Sequence, residues 1–150
     1  MMITGGNVPS HSWVGDPMAQ EKSFEEKLKK WLESEGIYAL GTPQQDMVAE
    51  PCGFWLKRWG GGKYTKSGLP DMQIVVNTVN IEVELKAPNG RPSELQKQKL
   101  NQIDDAGCIG FVLYPSDFEK FQKLIKDIKV TKTDMPNIVT FSGLERGCRK

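Results

Sequence analysis

At 150 residues the chain has room for one compact domain and little more. Hydrophobic residues make up 38% and charged residues 26%, a balance that suits a globular protein and excludes wholesale disorder. Twenty Lys and Arg against 19 Asp and Glu leave a formal net charge of +1, so any nucleic-acid contact must come from a local patch rather than from bulk charge.

No apolar run approaches the roughly 18 residues of a membrane span. The start, MMITGGNVPSHSWVGDPMAQ, lacks the basic and apolar regions of a signal peptide and reads as a flexible arm over residues 1–19. A single domain is then expected over residues 20–150. Cys52, Cys108 and Cys148 are odd in number and have no CxxC spacing. A disulfide framework or zinc finger is not expected, and a reducing cytoplasm fits best. The only histidine, His11, falls in the arm, which argues against His-based catalysis or metal binding.

From Gln20 to Gly36, Phe24, Leu28, Trp31 and Leu32 recur at helical spacing, and Gly36 is a natural stop. Thr42 to Gly68 reads as a long loop, and loops of that length in small domains are often functional. Its second half carries Lys57, Arg58, Lys63 and Lys66 with no acidic residue, interleaved with Trp55, Trp59 and Tyr64. Two alternating runs follow, Met72–Val76 and Ile81–Leu85, predicting a hairpin with one apolar face. With Thr78-Val79 as the turn, Gln73 would lie opposite Glu84 and Asp71 opposite Lys86. A different turn would slide the pairing, and an odd slip would mix the two faces.

Ser93 and Gln96 form a capping-box signature opening a helix with Leu95, Leu100, Ile103 and Ala106 on its apolar side. CIGFVLY (108–114) reads as a buried strand. Ser116 and Glu119 give a second capping box before a stripe of Phe118, Phe121, Ile125 and Ile128. A last edge strand is expected around Ile138 to Phe141. The order predicts an α/β fold, with a mixed central sheet flanked by helices.

Asp71 and Glu84 on neighbouring strands repel unless a cation sits between them. A hard divalent ion meets that need with oxygen ligands and retained water. Lys86 points the same way as Glu84 because strand side chains alternate, and an ammonium there can hold a water or offset phosphate charge. Metal, activated water and lysine together suit phosphodiester hydrolysis. Taken singly, the same residues also read as a solvated sheet face with a cross-strand ion pair.

Gly68-Leu69-Pro70-Asp71, Glu84-x-Lys86 and a Gln in the following helix resemble the PD-(D/E)XK nuclease superfamily. GLPDMQIVVNTVNIEVELKAPNGRPSELQKQKLNQIDDAG is more closely similar to its VRR-NUC branch, the virus-type replication-repair nucleases. With the first helix, the resemblance covers most of residues 20–128. It implies a restriction-endonuclease-like core and a Mg²⁺- or Mn²⁺-dependent deoxyribonuclease. Asp71, Glu84 and the backbone carbonyl of Leu85 would ligate the metal, and Lys86 would position or activate the attacking water. Gln96 matches the family's glutamine, although its place also completes the cap with Ser93. The family's helix glutamate falls on Glu21 by the helical wheel, with Glu25 second; a first-turn glutamate is also what a helix dipole favours.

The basic loop supplies the expected DNA contacts: Lys57, Arg58, Lys63, Tyr64 and Lys66, extended by Arg91, Lys97 and Lys99. The same charges also read as an ordinary solubilising loop. Stand-alone members of the branch are associated with phages and with homodimers acting on branched DNA such as four-way junctions or flaps. The expectation is therefore a structure-selective phage or prophage repair nuclease in the host cytoplasm. The alternatives are an idle DNA-binding or assembly module on the same fold, or a sequence-specific restriction-type enzyme.

Overall fold

A computed structural model of the chain describes residues 16–59 and 68–130. The first helix, α1 (Pro17–Ser34), begins three residues earlier than its apolar periodicity predicts. Asp16 is the reason: its carboxylate accepts from the N–H groups of Met18 and Ala19 at 3.1 and 3.2 Å, and Pro17 follows as the first helical residue. The chain turns at Gly36, whose φ of +81° suits a residue without a side chain.

Next come β1 (Tyr38–Ala39), α2 (Pro43–Met47) and β2 (Gly53–Lys57). The stretch read as one long loop therefore contains a helix and a full strand. All five residues of β2 pair antiparallel with β3 (Met72–Val76). Gly53 permits this approach, because a Cβ there would lie 1.9 Å from the Val75 carbonyl oxygen. The chain continues through β4 (Val79–Leu85), α3 (Glu94–Asp105) and β5 (Ile109–Leu113). It ends in a 3-10 turn (Pro115–Asp117) and α4 (Phe118–Val130).

The five strands form one sheet in the order β1-β2-β3-β4-β5. The outer pairs are parallel and the inner two antiparallel, so the mixed α/β sheet expected from the sequence is present. The hairpin turn is Asn77-Thr78 rather than Thr78-Val79. Both residues have positive φ, 46° and 72°, as a tight two-residue hairpin turn demands. Gln73 consequently pairs with Glu82 instead of Glu84. A slip of two leaves every side chain on its expected face.

One face of the hairpin is wholly apolar. Met72, Ile74, Val76, Ile81, Val83 and Leu85 are buried with Phe24, Leu28 and Leu32 of α1 and Phe118, Phe121 and Ile125 of α4. Trp55 joins this core, whereas Trp59 is exposed. α3 lies against β5 so closely that a Cβ on Gly110 would come within 3.2 Å of the Ile103 side chain. The buried side of α3 is narrower than expected, because Leu95 and Ala106 are exposed. The Ser116/Glu119 capping box does not form. Pro115 instead opens the 3-10 turn, and the Asp117 N–H bonds to the Tyr114 carbonyl before α4 begins. The strand expected near Ile138 lies outside the described residues. Among those described, no helix is long and apolar enough to cross a membrane.

Candidate active site

Continuing the β3–β4 register one residue beyond Met72↔Val83 sets Asp71 opposite Glu84. Asp71 is held there by its own carboxylate, whose Oδ2 accepts from the Leu85 N–H at 2.8 Å. Because N–H and C=O of one strand residue leave on the same edge, the Leu85 carbonyl is directed to the Asp71 side as well.

Glu84 is only 2% exposed. Its Oε1 accepts from Gln96 Nε2 at 2.7 Å and lies 3.5 Å from Lys86 Nζ. Its Oε2 is buried with no donor beside it; its neighbour is the Asp71 carboxylate, with which it can share a hydrogen bond only when one of the two is protonated. Burial, followed by the charge of Asp71, pushes the Glu84 carboxyl up to about 7, with Lys86 opposing. Gln96 fills both roles read from the sequence. Its Oε1 accepts from the Ser93 N–H at 2.8 Å to close the capping box, while its amide nitrogen reaches Glu84.

Two residues back on the same face, Glu82 is also buried but fully paired. Arg58 donates from Nη1 and Nη2 to its two oxygens at 2.6 and 2.9 Å. The same Nη1 donates to the Pro70 carbonyl at 3.1 Å, and the Arg58 N–H to the Asp71 carbonyl at 2.7 Å. Arg58 thus clamps the Pro70–Asp71 backbone to β4, which fixes the approach of Asp71 to Glu84. Arg58, expected at the DNA, is instead held inside the fold by Glu82. The available signal was a carboxylate at period two from Glu84 on a strand bound to be buried, which requires a cation.

Lys57 is likewise turned inward. It pairs with Glu25, which also takes Lys29 at 2.9 Å. Burial works against ionisation of Glu25, but the hydrogen bonds from Lys57 and Lys29 outweigh it and hold its carboxyl below the ordinary value. Glu25 is therefore committed to these lysines. Glu21, one turn earlier, is half-buried; burial raises its carboxyl, with Lys86 lowering it and Asp71 raising it. Lys97 pairs with Glu94, and Arg91 lies exposed beside the loop after β4. Lys99 is half-buried on α3. Lys63, Tyr64 and Lys66 lie outside the described residues.

Among the described residues, no group of three or more His, Cys, Asp or Glu is arranged to hold a metal ion. A hard cation such as Mg²⁺ needs no such cage, since it is commonly held by one or two carboxylates, water and substrate phosphate. The unpartnered Glu84 oxygen, facing a second carboxylate, fits that demand. Asp71, Glu84 and the Leu85 carbonyl are the residues that would supply it.

Comparison of the chain with protein-family models, with curated proteins and with solved structures yields no match.

Proposed function

We propose that the protein is a metal-dependent endodeoxyribonuclease with Asp71, Glu84 and Lys86 at its centre, built on a restriction-endonuclease-like core of the VRR-NUC type. The observation that carries this reading is the buried, unpartnered Oε2 of Glu84 beside Asp71. A purely structural glutamate at that depth would be satisfied, as Glu82 is. Mg²⁺ or Mn²⁺ bound there would lower the pKa of a water and neutralise developing phosphate charge. The chain's own residues do the rest. Asp71 and Glu84 would hold the ion, Gln96 Nε2 fixes the Glu84 rotamer by donating to its Oε1, and Lys86 Nζ, 3.5 Å from that oxygen, would orient the attacking water.

The finer expectations rest on the sequence resemblance: preference for branched DNA such as four-way junctions or flaps, a homodimer, and a place in phage replication or repair. A dimer would present two such sites to the two strands of a junction.

The test is cleavage of labelled single-strand, duplex, flap, fork and junction DNA in Mg²⁺, Mn²⁺ or EDTA. The wild type should cut only with metal. Asp71→Ala and Glu84→Ala should reduce cleavage below detection while circular dichroism stays unchanged, and Lys86→Ala should cut far more slowly. Full activity in either carboxylate variant would remove the site assignment. Protein that binds DNA without cutting any substrate would point to a binding module.

A further inference from the structure

β4 and β5 end together. The Lys86 N–H donates to the Leu113 carbonyl at 3.2 Å, so the chain segments after Lys86 and after Leu113 leave the sheet at one level. Pro88 borders two cavities, and Pro115 lines one of them. Toward α1 lies a mainly apolar cavity of about 530 Å³, walled by Ala19, Ser23, Phe24 and Lys27 and by both prolines. The other, which shares Pro88, is a polar cavity of about 430 Å³ lined by Asn89, Gly90, Arg91, Tyr114 and Ser116. Its floor is fixed, because Tyr114 Oη donates to the Gly90 carbonyl at 3.0 Å and the Gly90 N–H bonds to the Ala87 carbonyl at 2.8 Å. None of the described residues lining either cavity is acidic, and each cavity carries one cation, Lys27 or Arg91.

We propose that the two cavities form one cleft for a single unpaired nucleotide of the substrate strand. The base lies against Ala19 and the two prolines, and the phosphate lies on Arg91, Asn89 and Ser116. An apolar slot joined to a polar, cationic one matches the two halves of a nucleotide, and each volume falls in the range of small-ligand sites. A base stacked and paired in duplex DNA cannot enter; an unstacked one can. The proposal rests on the nuclease reading for its position beside the scissile bond, and it narrows the substrate class to strands with an unpaired nucleotide next to the cut.

The test uses the full chain in EDTA, where no cleavage intervenes. Anisotropy of a labelled decathymidylate is followed across a salt series for wild type, Arg91→Ala and Ala19→Trp, both at exposed positions. Arg91→Ala should weaken binding several-fold and reduce the slope of log affinity against log salt by about 0.7, the share of one phosphate contact on a single strand. Ala19→Trp should fill the apolar slot and weaken binding by roughly tenfold with the slope unchanged. Duplex DNA should be nearly indifferent to both. Unchanged affinity and slope in Arg91→Ala, or no effect of Ala19→Trp, would overturn the cleft even if the enzyme cuts normally. Intact variant effects in a protein that never cleaves would instead remove the nuclease reading and leave the cleft standing.

Discussion

Glu82 and Glu84 stand two residues apart on one face of β4, 5% and 2% exposed, and their partners differ. Glu82 spends both oxygens on the Arg58 fork. Glu84 meets another carboxylate, leaves one oxygen unpartnered and rises to about 7. Burial is the same for both, so burial does not separate a structural charge from a functional one; the completeness of its partners does. Arg58 links the two cases. By gripping Glu82 and the Pro70–Asp71 backbone together, it makes the satisfied pair the mount for the unsatisfied one.

Substitutions at the two positions should therefore move stability in opposite directions. Glu82→Ala leaves the Arg58 guanidinium without its carboxylate and should destabilise the fold by about 3 kcal/mol, seen as a lower urea midpoint. An unchanged midpoint would mean that the clamp is incidental. Glu84→Gln should do the reverse in metal-free protein. A carboxyl raised from 4.5 to about 7 stabilises the fold fully below the lower value and loses that contribution as pH climbs through the higher one. At pH 8 the wild type thus carries the cost of a buried anion facing Asp71. Gln carries no charge, still accepts from Gln96, and can donate to Asp71. The gain should be about 2 kcal/mol after allowance for solvent screening, and it should vanish below about pH 4.5. A loss of stability at pH 8 would contradict the shared account of the two glutamates.

Gln96→Ala sharpens the comparison with a smaller effect on stability. It removes half the capping box and the restraint on Glu84, so it should cost about 1 kcal/mol while slowing metal-dependent cleavage by roughly 10- to 100-fold. A stability loss with normal cleavage would confine Gln96 to its helix cap.

Much of this arrangement was legible in the sequence, and the failures have physical causes. The alternation of Met72–Val76 and Ile81–Leu85 fixes which side chains share a face, and that result survives the two-residue error in register because the strand period is two. The error came from the turn: Asn77 and Thr78 both take positive φ, which a β-branched Thr does not advertise. On α1 the charges of Lys86 and Asp71 act on Glu21, whereas Glu25 is tied to Lys57 and Lys29, a difference that the wheel does not contain because both partners of Glu25 are long basic side chains. β2 was hidden by its basic surroundings, and its partners went with it. Without β2 as a strand, Lys57 and Arg58 look like free cations, when one is bound to Glu25 and the other to Glu82. Charge in a sequence says what a residue can pair with; only the sheet order says whether the partner is internal.

The measurement that bears most directly on the central claim is calorimetric titration of the metal-free protein with Mn²⁺ between pH 5.5 and 8.5, wild type beside Glu84→Gln. If Glu84 is the open ligand, a proton must leave before the ion binds. Affinity should then rise by about tenfold per pH unit below about 7 and level off above it, and Glu84→Gln should show no binding at any pH. Absence of Mn²⁺ binding by the wild type, or equal binding by Glu84→Gln, would contradict the claim that the unpartnered carboxylate is a metal site.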